Sequence, residues 1–174
     1  EKRLIFLRTT GHQAIYQTAY LMWQEQPFFG FGLKSFRIKC FDILIMAGHQ
    51  HWAGVEHRKN LKIRENWKNK KLTCATHPHN YYLELLTESG IIGTVLMLLL
   101  FIILIKKSLL FLKKRIGSKS LSENLIIPII VIFFLEIWPI KSTGSFFTTW
   151  NATFFWIIVG LLFSTKFSST KKII

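Results

Sequence analysis

The strong metal signatures are missing from this sequence. It has no Cys-x-x-Cys pair and no His-Glu-x-x-His, so its six histidines and two cysteines define no zinc site by spacing. It has no internal repeats, which sets aside the stacked-repeat architectures. Acidic residues are scarce, nine against twenty-three Lys and Arg, and the net charge is +14. That balance raises the question of nucleic acid, but a nucleic-acid-binding domain would interleave its lysines with aromatics on a polar fold. Here half the residues are hydrophobic, mean hydropathy is +0.30, and three apolar runs occupy 91–105, 125–140 and 146–163. The expected surroundings are membrane lipids, with no nucleic acid partner. No signal peptide opens the chain and residue 1 is Glu, so the expectation is a C-terminal part of a longer polytopic protein.

The first two runs are shorter than the roughly twenty residues that span a bilayer, but the first extends backwards. From Asn80 to Lys107 is 28 residues, which at helical rise reaches about 42 Å, more than a hydrocarbon core of about 30 Å. The reading is an all-α integral membrane protein with three transmembrane helices at 80–107, 125–140 and 146–165, the first with a protruding outer end. Lys106, Lys107, Lys113, Lys114, Arg115 and Lys119 follow the first span, and Lys166, Lys171 and Lys172 follow the third. The turn at 141–145 has only Lys141. By the positive-inside rule the loop at 108–124 and the tail at 166–174 are cytoplasmic, and the segment 27–79 is a large outer loop. That loop is itself basic, which long translocated loops tolerate, and it points to an anionic, lipid-borne partner.

The chain is organised around 76–93, THPHNYYLELLTESGIIG. With Thr76 as N-cap and Pro78 in the first turn, a helix is expected to start near His77. His79, Leu83, Leu86, Gly90, Gly93 and Met97 then share one face, and Asn80, Glu84, Thr87 and Glu88 form a polar stripe beside it. Gly90 and Gly93 lower helix propensity, so close approach of another backbone is their expected use. A histidine at an outer helix N-terminus sits where free N–H groups suit a phosphate, and its imidazole can act as a general base.

Upstream, Ile15, Thr18, Ala19, Met22 and Trp23 make an apolar stripe, read as an interfacial amphipathic helix within 1–26. PFFGFG at 27–32 is a turn. Cys40 and Cys74 both fall in the outer loop and are either a disulfide or two thiols. His49 and His51 with His57, or His77 with His79, are candidates for a metal that Cys40 or Cys74 could complete, but none has a diagnostic spacing, and no metal is assigned. Glu136, inside the second run and three residues before Pro139, is either a functional carboxylate or a solvated one.

His79-Asn80, nine residues, Gly90, two residues and Gly93 resemble the signature of the O-antigen ligase and O-antigen polymerase superfamily of bacterial envelope glycosyltransferases. The N-terminal part is similar too, with Ile15-Tyr16 followed by Pro27, Gly30, Gly32 and Phe36, as are STGSFF at 142–147 and a last span ending in Gly160. The resemblance implies a GT-C-like helical bundle in the inner membrane, multi-pass, with a periplasmic loop and a periplasmic active site. It implies transfer of a glycan from undecaprenyl diphosphate to an acceptor hydroxyl, on lipid A-core for a ligase or on a second lipid-linked glycan for a polymerase. His79 matches the family's histidine, which acts on the acceptor or orients the donor. Arg37, then Arg8, match the arginines that hold the diphosphate, with Asn80 and Glu84 near the substrate. Where many members have Gly-Arg, this chain has Gly11-His12, and His12 is a weaker, pH-dependent diphosphate ligand. No cofactor is implied, since basic side chains can neutralise the leaving group. The other reading of the sequence is a non-catalytic membrane module that holds anionic lipid through the basic stretch 59–71.

Overall fold

In a computed structural model of the chain, residues 10–49, 62–68, 70–115 and 126–164 are described; Arg8, His51 and His57 lie outside them. The described secondary structure is entirely helical: α1 Thr10–Glu25, α2 Phe36–Met46, a 3-10 turn Glu65–Trp67, α3 Tyr81–Arg115, α4 Ile126–Glu136 and α5 Thr149–Ser164. They divide between two compact units, one of Glu1–Val95 with Ser142–Phe147, the other of Leu96–Lys141 with Thr148–Ile174.

In the first unit, α1 packs on α2. The stripe assigned from sequence to a membrane surface is covered here: Ile15, Ala19 and Met22 lie in one core with Phe36, Cys40, Ile43 and Trp67. Its polar member Thr18 is buried as well, taking the N–H of Thr73 at 3.2 Å and donating to the Thr73 carbonyl at 2.9 Å. That exchange brings the segment before Cys74 against α1. Cys74 is bonded to Cys40 of α2, with Cα atoms 5.7 Å apart. Arg64 adds an ion pair to Glu25 at 2.8 Å and lies over the Trp67 ring at 5.5 Å. The described residues between α2 and α3 are therefore fastened to α1 and α2 at Arg64, Thr73 and Cys74.

The start of α3 differs from the sequence expectation. Asn80, not Thr76, is the N-cap: its Oδ1 accepts the N–H groups of Tyr82 and Leu83 at 3.0 and 3.2 Å, and its carbonyl takes the first helical bond from Glu84. An Asn side chain can satisfy two of the helix's orphan donors at once, which the hydroxyl of Thr76, bonded to His77 Nδ1 at 2.9 Å, does not do. His79 is consequently outside the helix. The far end also differs, because α3 continues to Arg115 and carries Lys106, Lys107 and Lys113, which the sequence reading had placed at or beyond its end. Leu, Ile and Lys there are all compatible with helix, and no Gly or Pro stops it.

At Gly90 the helix is broken, with φ 65° and ψ −170°. The PFFGFG turn fills the break. Phe31 and Gly32 donate their N–H groups to the carbonyls of Thr87 and Glu88 at 3.0 and 2.9 Å, and the carbonyls of Pro27 and Phe28 accept from Ile91 and Ile92 at 2.8 and 3.3 Å. Four backbone groups that the break would orphan are satisfied by another strand of chain. Gly93 serves differently: a Cβ there would meet Ser89 of the same helix at 2.5 Å, not a second backbone.

In the second unit, α4 and α5 pack together with Phe133 and Phe155 at 6.4 Å, and Phe155 also meets Phe101 of α3 at 5.8 Å. Glu136, at the end of α4, is paired with Lys141 at 2.7 Å, which accounts for a carboxylate in an apolar run. Tyr81–Leu110 of α3 is long and apolar enough to cross a membrane, and 127–136 and 149–163 are shorter apolar helices.

Candidate active site at the start of α3

His79 adopts the left-handed conformation, φ 57°, which non-glycine residues seldom occupy. Its carbonyl accepts the N–H of Thr143 at 2.9 Å. A backbone held in such a conformation by its surroundings stores about 1–3 kcal/mol and is characteristic of functional sites. Here the hold comes from both sides, with the Asn80 cap downstream and the 142–147 segment across from it.

The imidazole of His79 lies in a group of aromatic rings. His77 is 4.2 Å away between centroids and tilted, and His12 of α1 is 5.3 Å away, edge-on; Tyr16, one turn along α1, is 6.1 Å from His12. Burial, then the neighbouring charges of His77 and His12, lower the pKa of His79, while a hydrogen bond to the Thr143 backbone opposes them. Its ring is thus kept neutral and able to accept a proton at neutral pH. Nδ1 of His12 and Nε2 of His77 are buried without a hydrogen-bond partner among the described residues. Buried polar atoms rarely go unpaired, and these two belong to the rings that flank His79.

Two carboxylates of α3 hold the frame. Glu84, 1% exposed, accepts from Ser145 Oγ at 2.5 Å and from the Phe146 N–H at 2.6 Å, and Tyr81 packs edge-on to Phe146 at 5.1 Å. Glu84 thereby fixes the segment whose Thr143 holds His79. Glu88, 2% exposed, accepts the N–H groups of Lys34 and Phe36 at 2.5 and 3.2 Å. It caps α2 in place of Ser35, whose side chain makes no capping bond. Both carboxylates are occupied by partners in the protein, so their part in the site is to position.

Of the residues singled out in the sequence, His12, His79 and Asn80 come together at one place, joined by His77, which the sequence reading had set among the scattered metal candidates. Glu84 lies one turn into α3. Arg37 stands exposed on the first turn of α2. Among the described residues no group of three or more His, Cys, Asp or Glu is placed to hold a metal. Sequence reasoning missed Thr143 and the capping role of Glu88; the signal for the first was the polar STGSFF between two apolar runs.

The helix that is long and apolar enough to cross a membrane thus begins at a strained histidine, a candidate catalytic base. The family model described as O-antigen ligase matches residues 8–98, more than half of the chain, and the chain belongs to that family. The matched region covers α1, the turn, α2, the segment between α2 and α3, and α3 as far as Leu98. The family comprises membrane-associated, glycosyltransferase-like ligases and polymerases that act on lipid-linked glycans in lipopolysaccharide biosynthesis. No curated protein and no solved structure matches the chain.

Proposed function

We propose that this protein transfers a glycan from undecaprenyl diphosphate to an acceptor hydroxyl, O-antigen ligation to lipid A-core being the first reading and glycan polymerisation the second. α3, α4 and α5 are the three membrane crossings of a GT-C-like bundle, and His79 faces the periplasm of the bacterial inner membrane. The observation that carries the proposal is the left-handed His79, held outside the α3 N-cap by Thr143, with its imidazole flanked by His12 and His77. His79 takes the proton of the acceptor hydroxyl while that oxygen forms a bond to the anomeric carbon. The anomeric carbon–oxygen bond to the diphosphate breaks, and undecaprenyl diphosphate leaves with the electron pair. Arg37 and Arg8 neutralise the developing charge on the diphosphate, with His12 and His77 donating to it when protonated. The frame formed by Asn80, Glu84 and Thr143 keeps the base oriented.

The test is made in a bacterium lacking its own copy, comparing wild type and His79→Ala at equal membrane level by gel separation of envelope glycolipids. Loss of all glycan from lipid A-core, with polymer retained on undecaprenyl diphosphate, identifies a ligase. Core bearing a single repeat identifies a polymerase. A His79→Ala pattern equal to wild type contradicts the proposal.

A further inference from the structure

The turn between α1 and α2 presents Phe28, Phe29 and Leu33 outward, while Phe31 packs against the core of α1 and α2. Phe29 is 77% exposed, and Phe28 and Leu33 are each 64% exposed. In water such a cluster is unfavourable, because its apolar surface is left uncovered. Its backbone is in the opposite condition. The N–H groups of Gly30, Phe31 and Gly32 are donated to Gln26, Thr87 and Glu88, and the carbonyls of Pro27 and Phe28 are taken by Ile91 and Ile92, with the Trp23 indole also donating to Pro27. Non-helical backbone is tolerated at membrane depth where protein satisfies its polar groups, and these five groups of the turn are satisfied, four of them through the break in α3.

The partners of the turn also set its level. Ile91 and Ile92 open the apolar run of α3 and are exposed, as is Val95 one turn on. A turn hydrogen-bonded to Ile91 and Ile92 shares their depth. Lys34 and Arg37 follow it and are exposed, placing positive charge where lipid phosphates lie.

We infer that the 27–33 turn is a membrane wedge: Phe28, Phe29 and Leu33 lie among the acyl chains of the bilayer, and Lys34 and Arg37 meet anionic headgroups. The occupant of this apolar surface is lipid, since the surface is continuous with the exposed residues at the start of the membrane-capable helix. The inference rests on the proposal that α3 crosses the membrane. Through the Gly90 break, the wedge fixes the height of α3, and so of His79, relative to the headgroups.

The experiment uses the full chain in vesicles of phosphatidylethanolamine and phosphatidylglycerol. Cys40 and Cys74 are bonded to each other and the sequence has no other cysteine, so a single introduced thiol takes a spin label. Phe29→Cys, Phe28→Cys, Leu99→Cys in the apolar run and exposed Lys71→Cys are compared for collision with oxygen, which partitions into hydrocarbon, and with a water-soluble nickel chelate. The expected result is oxygen above chelate at 28, 29 and 99, and the reverse at 71. Chelate above oxygen at 28 and 29 with 99 still in hydrocarbon overturns the wedge and leaves the span intact. Chelate above oxygen at 99 as well overturns the span and the wedge together.

Discussion

Gly30 and Gly90, sixty residues apart, meet backbone to backbone. A Cβ added to Gly30 would lie 2.6 Å from the Gly90 nitrogen and from the Glu88 carbonyl, and one added to Gly90 would collide with the Phe28 carbonyl. Both residues have positive φ, 67° and 65°. Neither space nor conformation admits a side chain, and the contact is what lets a turn enter the break in α3.

Gly30→Ala and Gly90→Ala should therefore each destabilise the protein by about 2–4 kcal/mol, combining backbone strain with overpacking. The double variant should lose less than the sum, because the two changes damage one contact. Thermal unfolding in detergent measures this. Full additivity would separate the two glycines.

Glu88→Ala should cost about 1–3 kcal/mol, as two backbone donors at the start of α2 lose their acceptor in a buried place. Ser35→Ala should be close to neutral even though Ser35 is the residue that a sequence rule would choose as the cap. The comparison is again made by thermal unfolding, and the reverse order would contradict the assignment of the cap.

Opening the Cys40–Cys74 bond with a Cys→Ser change at either position should lower stability by roughly 3–4 kcal/mol on the chain-entropy view of a loop of this size. Reductant should produce a similar shift in the wild type and none in the double Ser variant.

His79 binds its proton less tightly folded than at its ordinary value of 6.5. As pH falls, the unfolded chain takes up that proton first, so the stability linked to a neutral His79 is complete above about pH 6.5 and is lost as pH drops through the folded value. In kcat/KM the acid limb should fall below 6.5. His12→Asn or His77→Asn, removing a neighbouring positive charge, should move the limb upward; a limb that stays put would deny the coupling.

Periodicity and composition made the helical, membrane-type character legible, because 91–105, 125–140 and 146–163 leave little else to form. The His79-Asn80 and Gly90–Gly93 spacing marked the place of the site. What sequence rules could not weigh was competition between partners. Thr76 and Asn80 are both acceptable caps, and only the fold gives Thr76 a bond to His77 and leaves the helix N–H groups to Asn80. The PFFGFG turn was legible as a turn, but its insertion at Gly90 depends on a contact sixty residues away. α2 was not read because its apolar residues lie on all sides, covering Cys40 and Ile43 while leaving Ile38 exposed. The same holds for the α1 stripe, whose burial against α2 no local pattern distinguishes from burial in lipid.

Whether His79 supplies the base is measured by glycan transfer with the purified protein in proteoliposomes. His79→Asn is the informative variant, since asparagine tolerates the left-handed backbone better than most residues and keeps the frame while removing the imidazole. The rate of transfer from an undecaprenyl diphosphate donor should fall by about 10²–10⁴ with thermal stability retained. A His79→Asn protein that transfers at the wild-type rate would contradict the role of His79 as the base.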